Sequence, residues 1–388
     1  MKKWKLYIVI GLAFLLAVFT PLESLVHAET SEGEESSSQP FAYVANDFSS
    51  SVSVIDTKTH SVIKTVDVGF SPQKVSFSPN GQLAYVANAD GTVSVINTKT
   101  HSFVTTLEIV DSSQNHGEPV DIAFTPDGQY AYVSNAFGDT VAVMDTEDHS
   151  VIGTVEVEES PQNVTFIPNG KLAYVTHTGG TVSVIDTETH SVIENIHVGG
   201  APTDIVVAPN GQVVYVENIV SNFITVIDTK THSIIAEIEV ASYFSDIALS
   251  PNGKLAYVMN DIVGAVSVID TKTYSVIDTV PIDGRAFTPH LSFIGLKKGA
   301  FTPNGQVAYV TNALSGTVSV IDTKTHSIID TVEVGAAPQY LAFTPNSQVA
   351  YVVNRISNTV SAIDTKTHSV ITNIEVGAGP IDVAFSPN

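Results

Sequence analysis

The segment VSVIDTKTHSVI at residues 52–63 returns, with small changes, at residues 93, 141, 182, 224, 266, 318 and 360. Seven of the eight copies place a histidine at one position: His60, His101, His149, His190, His232, His326 and His368. The eighth has Tyr274, and an aspartate usually stands four residues ahead, as Asp56, Asp145, Asp186, Asp228, Asp270, Asp322 and Asp364. Imidazole and carboxylate at a fixed spacing are the raw material of a metal centre or an acid–base pair. A metal centre built from them requires the copies to converge. Zinc holds its nitrogens at about 2.0–2.1 Å, whereas stacked sheets lie about 10 Å apart. One histidine per structural unit therefore cannot meet the next on one ion. Asp and Thr in D-T-K-T-H are good turn formers that bond local backbone groups. The histidine is thus expected to cover its own hairpin end, and His190→Asn with His232→Asn to cost no more than about 1 kcal/mol, as surface changes do.

Four other histidines, His116, His177, His197 and His290, are irregular and fall in different repeats, so they offer no shared metal site. No G-x-S-x-G elbow, H-E-x-x-H pair or phosphate-binding glycine loop in a strand–helix setting is present. The chain has no cysteine, which removes thiolate catalysis, thiolate metal sites and haem attachment. Its single tryptophan is Trp4. No cofactor is expected, and no enzymatic constellation stands out.

A different set of polar residues can converge. Five positions before the proline that closes the first segment of each repeat stand Lys74, Asp121, Asn163, Asp204, Asp246, Lys298, Tyr340 and Asp382. In a ring of repeats these residues would line the mouth of a central channel and could receive a polar or cationic ligand. The plainer reading is mutual neutralisation, since Lys74 lies between Asp382 and Asp121 around the ring and Lys298 follows Asp246. Calcium needs six to eight oxygens at about 2.3–2.6 Å, so at most Asp204 and Asp246 would share one ion. A charged lining is favoured over a coordinated metal.

The elements that must hold these residues follow from the repeat. Tyr43, Tyr85, Tyr132, Tyr174, Tyr215, Tyr257, Tyr309 and Tyr351 are spaced by 42, 47, 42, 41, 42, 52 and 42 residues. Each unit has four short β-branched and aromatic segments, such as VSFSPN (75–80), LAYVAN (83–88), TVSVIN (92–97) and HSFVTTLEI (101–109). No 3.6-residue apolar stripe interrupts them, so all four read as strands. Four strands about every 42 residues make a propeller blade. Every segment type occurs eight times. The fold is therefore expected to be all-β, an eight-bladed propeller over residues 40–388, with seven blades as the alternative. The chain enters on a second-type strand (FAYVAN, 41–46) and ends on a first-type strand (VAFSPN, 383–388), so the two should share a blade and close the ring.

The tetrapeptides YVAN (43, 85), YVSN (132), YVTH (174), YVEN (215), YVMN (257), YVTN (309) and YVVN (351), with TVSVIDT and VG..P...AFTPNG beside them, resemble the YVTN family of β-propeller repeats. The resemblance covers residues 40–388. It implies a propeller of an exported or surface-layer type, and no single activity; many such propellers have seven blades, so eight is a departure.

The N-terminus has the basic start MKKWK, an apolar run over residues 6–19 and Val26-His27-Ala28. This reads as a signal peptide over residues 1–28, its apolar run being short for a membrane span. Residues 29–39, acidic and serine-rich, read as a flexible leader. Loss of residues 1–28 takes the formal charge from −23 to −25. Such a surface repels phosphate backbones, so nucleic acid is a poor partner. The expected product is a secreted or cell-surface monomer without a membrane span.

Function should sit where the repeats differ. The first-to-second and third-to-fourth turns are nearly constant, while the other two connections vary and carry insertions at 110–118 and 282–298. Variable loops on a rigid scaffold commonly carry binding. The longer insertion holds Arg285, Phe287, Leu291 and Phe293, the expected contacts to a protein or extracellular-matrix partner. The competing reading is a lactonase-like or metal-assisted hydrolase at the channel mouth.

Overall fold

A computed structural model describes residues 40–110, 117–241, 244–261, 263–282 and 296–387, with residues 296 and 297 given as backbone only. Residues 1–39, read above as a signal peptide and leader, and the insertion residues Arg285, Phe287, Leu291 and Phe293 lie outside the described residues. Within them, eight four-stranded antiparallel sheets form an eight-bladed β-propeller. In blade 2 the strands run outward from the axis as Pro72–Phe77, Leu83–Asn88, Thr92–Asn97 and Ser102–Glu108. The innermost strand of every blade touches those of its two neighbours, which closes the ring.

Burial explains the residue types. The two middle strands of each blade are buried on both faces because another blade covers each side, so they are nearly continuous runs of Val, Ile, Ala and Tyr. One core lies between blades 2 and 3, where Tyr85, Val93 and Val95 meet Ile122, Val133 and Met144. The outermost strand is largely exposed. The innermost strand starts earlier than the sequence pattern suggested, at Pro72, and stops before Pro79. Proline is tolerated as a strand's first residue but cannot donate to a ladder further in.

Blade 1 joins the two ends of the propeller. Its outer three strands are Phe41–Asn46, Ser51–Asp56 and Ser61–Asp67, and its innermost strand is Pro380–Phe385. Ala42 pairs with Phe385 and Val44 with Val383, and the Ser386 amide donates to the Phe41 carbonyl at 2.9 Å.

The two faces differ in how their connections are tied. On the turn face, Thr98 in the third-to-fourth turn donates its hydroxyl to the Gly81 carbonyl of the first-to-second turn at 2.5 Å, and Thr187 does the same to Gly170 at 2.6 Å. Gly81 and its counterparts have positive φ, and a Cβ there would press on the turn proline of the preceding blade. On the opposite loop face, the second-to-third turn bonds the loop that enters the same blade, as Phe48 N to Ala378 O at 3.0 Å and Ala89 N to Ser71 O at 3.0 Å.

The repeated aspartates behave as turn formers: Asp56 Oδ1 accepts the Lys58 and Thr59 amides at 2.7 and 3.1 Å. The histidines do more than expected. Each adopts a left-handed conformation, with φ between 49° and 58°, which His tolerates better than most residues. That conformation turns the ring toward the preceding blade. His190 Nδ1 bonds the Tyr132 hydroxyl at 2.6 Å, His101 bonds Tyr43 at 2.7 Å, and His60 bonds Tyr351 at 2.7 Å. The same bond links His149 to Tyr85, His232 to Tyr174, His326 to Tyr257 and His368 to Tyr309. Where Tyr274 replaces histidine, its ring lies 6.5 Å from that of Tyr215. The histidines are therefore interblade ties, which corrects the expectation that they serve only their own hairpins.

The stability expectation changes with them. His190→Asn leaves the hydroxyl of buried Tyr132 without its partner, at about 1–3 kcal/mol. Adding Tyr132→Phe should recover part of that loss, because both halves of the bond are then gone. Burial also lowers the pKa of His190, with Asp186 opposing. The folded state therefore resists the proton that the unfolded chain accepts, and stability falls as pH drops through the ordinary histidine value of 6.5. Thermal melts from pH 8 to pH 5 should show a shallower acid loss for His190→Asn than for the parent. Equal slopes, or no recovery in the double variant, would contradict the tie.

Candidate functional site

The eight positions singled out around the channel are each the third residue of an innermost strand, at the end nearest the loop face. The aspartates there share a specific use. Asp382 Oδ2 accepts the Val75 amide of the next blade at 2.9 Å, Asp121 Oδ2 accepts the Val164 amide at 3.0 Å, and Asp246 Oδ2 accepts the Gly299 amide at 2.8 Å. These carboxylates bolt neighbouring innermost strands together where a strand ladder cannot reach. Such bonds to a charged acceptor contribute about 1.5–3 kcal/mol each.

Two of the aspartates are also ion-paired. Lys298 Nζ lies 2.6 Å from Asp246 Oδ1, and Lys74 Nζ lies 3.4 Å from Asp382 Oδ1 and 3.3 Å from the Tyr340 hydroxyl. Both aspartate side chains are almost fully buried, while about a quarter of each lysine side chain stays exposed. The two ammonium groups approach the same ring, 4.9 and 5.4 Å from the centroid of Tyr340, as cation–π contacts do. Burial alone would lower the Lys74 pKa, but Asp382, Tyr340 and Asp121 outweigh it and hold the group cationic. The pairing of lysines with aspartates anticipated from their order around the ring is present.

Asp204 breaks the pattern. Its Oδ1 accepts the adjacent Ile205 amide at 2.8 Å in place of an amide of the next blade. Directly opposite it in the strand register is Glu217, on the strand Val213–Asn218. Glu217 is 1% exposed, and its Oε1 has no hydrogen-bond partner. The equivalent residues of other blades are Ala, Ser, Thr, Met or Val; Thr311, for example, accepts the Lys298 amide at 2.9 Å. Burial raises the Glu217 pKa well above the usual carboxylate range, with Asp204 and Asp246 adding to the rise and Lys298 opposing it. Asp121 is also pushed up, to about 6, by burial against the pull of Lys74 and the Val164 amide. Sequence reasoning missed Glu217; the one signal was YVEN, a carboxylate in a strand position otherwise small or apolar.

Of the irregular histidines expected in different repeats, His177 and His197 in fact share one blade, on the strands Leu172–His177 and Ser191–His197, with Thr181 paired between them. His177, in the asparagine position of YVTH, is fully buried and bonds Ser183 Oγ through Nε2 at 2.8 Å. Asn88 makes the matching bond to Ser94 at 3.0 Å, so His177 stands in for the repeat's asparagine. His197 is exposed on an outermost strand, and His116 and His290 lie outside the described residues. Among the described residues no three histidines, aspartates or glutamates are placed to hold one metal ion. Asp204 and Asp246 are each occupied by the bonds above.

Beyond the mouth, the loop face carries apolar residues in six second-to-third turns: Phe48, Phe137, Val220, Val263, Leu314 and Ile356, all between 46% and 78% exposed. They make up an interrupted crown, absent from blades 2 and 4, at one equivalent turn of the loop face.

With fold and site in view, the chain is a β-propeller protein. The family model described as a lactonase with a seven-bladed β-propeller matches residues 58–191, and one described as a YNCE-like β-propeller matches residues 297–388. Among solved structures the chain is similar to Kuenenia stuttgartiensis hydrazine synthase, at 21% identity and a TM-score of 0.60, over 76% of this chain and 95% of that one. It is also similar to the dihydro-heme d1 dehydrogenase NirN in complex with DHE, at 15% identity and a TM-score of 0.74, over 89% of this chain and 74% of that one. At these identities the likeness concerns the fold alone. No curated protein matches the chain.

Glu217 gives a direct test of the mouth. Its folded pKa lies above the ordinary value of 4.5, so the unfolded chain ionises first and stability falls as pH rises through that window. Glu217→Gln should match the parent near pH 4 and melt at a higher temperature near pH 7. Parallel melting profiles for the two proteins would show that the carboxyl is not held protonated by burial.

Proposed function

We propose that this protein is an exported YVTN-type propeller that acts as a binding module, holding a protein or extracellular-matrix component on its loop face. The observation that carries this reading is the apolar crown. Six of the eight blades place an exposed aliphatic or phenyl side chain at one equivalent turn, Leu314 and Ile356 of neighbouring blades line one groove, and apolar side chains recurring on one face suit an interaction site. The turn face has a nearly constant sequence and is occupied by its own bonds. The insertion with Arg285, Phe287, Leu291 and Phe293 joins Ser275–Pro281 to the innermost strand of blade 7, Leu296–Phe301, and is the natural extension of this contact. Export through the signal segment would deliver the propeller to the cell surface or the medium.

A second reading has one observation in its favour. The lactonase family match suggests a lactone hydrolase with its site at the mouth. The matched stretch contains Lys74 and Asp121 but not Asp204, Glu217 or Asp246, and the mouth carboxylates described above are largely engaged in holding strands together. Binding is therefore the better-supported function.

Two measurements follow. Mass spectrometry of protein recovered from the medium or cell surface should find Glu29 at the amino terminus; retention of residues 1–28 in a membrane fraction would defeat the export reading. Capture of partners from the native envelope should be lost in the combined Phe48→Ser, Phe137→Ser and Ile356→Ser variant, whose side chains are exposed and whose melting temperature should hold. Undiminished capture would defeat the loop-face reading, and lactone hydrolysis lost on Asp121→Asn would favour the hydrolase.

A further inference from the structure

The loop face is laid out in three zones. Innermost is the mouth, with its buried carboxyls. The crown comes next, on turns that join the second and third strands of the blades. Outermost is a ring formed where the fourth strands end. Six blades place an exposed carboxylate there, in Asp67, Glu108, Glu156, Glu239, Glu333 and Glu375. The period of the repeat puts these acids at equivalent positions, so the ring is a built feature of the blade.

The cations are segregated from it. Eight lysines, among them Lys58, Lys171, Lys230 and Lys324, sit in the turns of the opposite face. Lys64 lies on an outermost strand, while Lys74 and Lys298 are held inside the mouth. The one described cation on the loop face beyond the mouth is Arg355, and Asp47 binds it at 2.6 Å. None of the six rim carboxylates forms an ion pair with a described cation. An apolar zone inside a polar rim is the usual plan of a protein interface, and here the six described rim residues carry a single sign. Complementary potential selects partners and speeds their approach. An anionic membrane surface would be repelled by the same ring.

Resting on the loop-face reading above, we propose that the partner is a basic polypeptide, one that sets apolar side chains on the crown while its lysines or arginines meet the acidic rim.

The probes are three synthetic peptides of equal length, built from leucine and lysine, leucine and glutamate, and serine and lysine, with phosphatidylcholine vesicles as a fourth. Binding to the full-length secreted protein would be followed by fluorescence anisotropy, or by sedimentation for the vesicles. The leucine–lysine peptide should bind, at least tenfold more tightly than the serine–lysine peptide, and should weaken at high salt. Glu156→Gln with Glu333→Gln and Glu375→Gln should weaken it at least tenfold, and so should Phe48→Ser with Phe137→Ser and Ile356→Ser. Asp127→Asn with Glu147→Gln and Glu188→Gln removes the same charge from the turn face and should leave it unchanged. If those turn-face changes weaken binding as much as the rim changes do, net charge is responsible and the proposal fails. Crown-dependent binding of the leucine–glutamate peptide, or of the vesicles in place of any peptide, overturns the basic partner and leaves the loop-face contact standing. Binding that ignores the crown in every case overturns both.

Discussion

The hydrogen bond between a tyrosine of one blade and a histidine of the next is the constraint around which this propeller is organised. A blade is a small twisted sheet that cannot bury its own faces, so its stability comes from its neighbours. Apolar packing between blades is strong but not directional. The Tyr–His bond fixes the rotation of one blade against the next at its outer part, and the aspartate-to-amide bonds at the mouth fix it near the axis. Between these two points the buried valines and isoleucines have one register in which to interdigitate. The bond from His60 to Tyr351 spans blades 1 and 8, so the ring is tied at its closure by the same device as elsewhere.

That economy defines what is left for function. Seven histidines and seven turn aspartates look like chemistry in the sequence and are consumed by architecture. At the mouth, Asp121, Asp246 and Asp382 are consumed in the same way, and the two lysines answer the charge they leave. Glu217 is the exception: its carboxyl is buried with no partner for Oε1 among the described residues, which is costly. Protonation is the cheapest way to hold it there, which ties the mouth to pH.

The loop face is freer. Its turns are bound to the blade through backbone bonds, so their side chains can vary without loss of fold. This is why six blades can carry large apolar groups there, and why the outer strand ends can carry acids, while the turn face stays close to constant.

Much of this was legible in the sequence. The tyrosine spacing, the four-segment unit and the count of eight determine an all-β ring of eight blades, because strand length and turn chemistry are local properties. The offset between the first and last strands determines the closure. The order of charges around the ring already sets Lys298 beside Asp246 and Lys74 between Asp382 and Asp121; only the structure selects Asp382 as the partner of Lys74. What the sequence does not contain is the direction in which a side chain points across a blade boundary. The left-handed backbone at His190, which sends its ring to Tyr132 of the preceding blade, depends on the relative rotation of two sheets. The isolation of Glu217 depends on Asp204 turning back to its own strand. The crown appears only when turns some 42 residues apart are brought onto one face. Periodicity specifies the blade; only the packing of blade on blade decides which of the repeated polar groups are ties and which are free to bind.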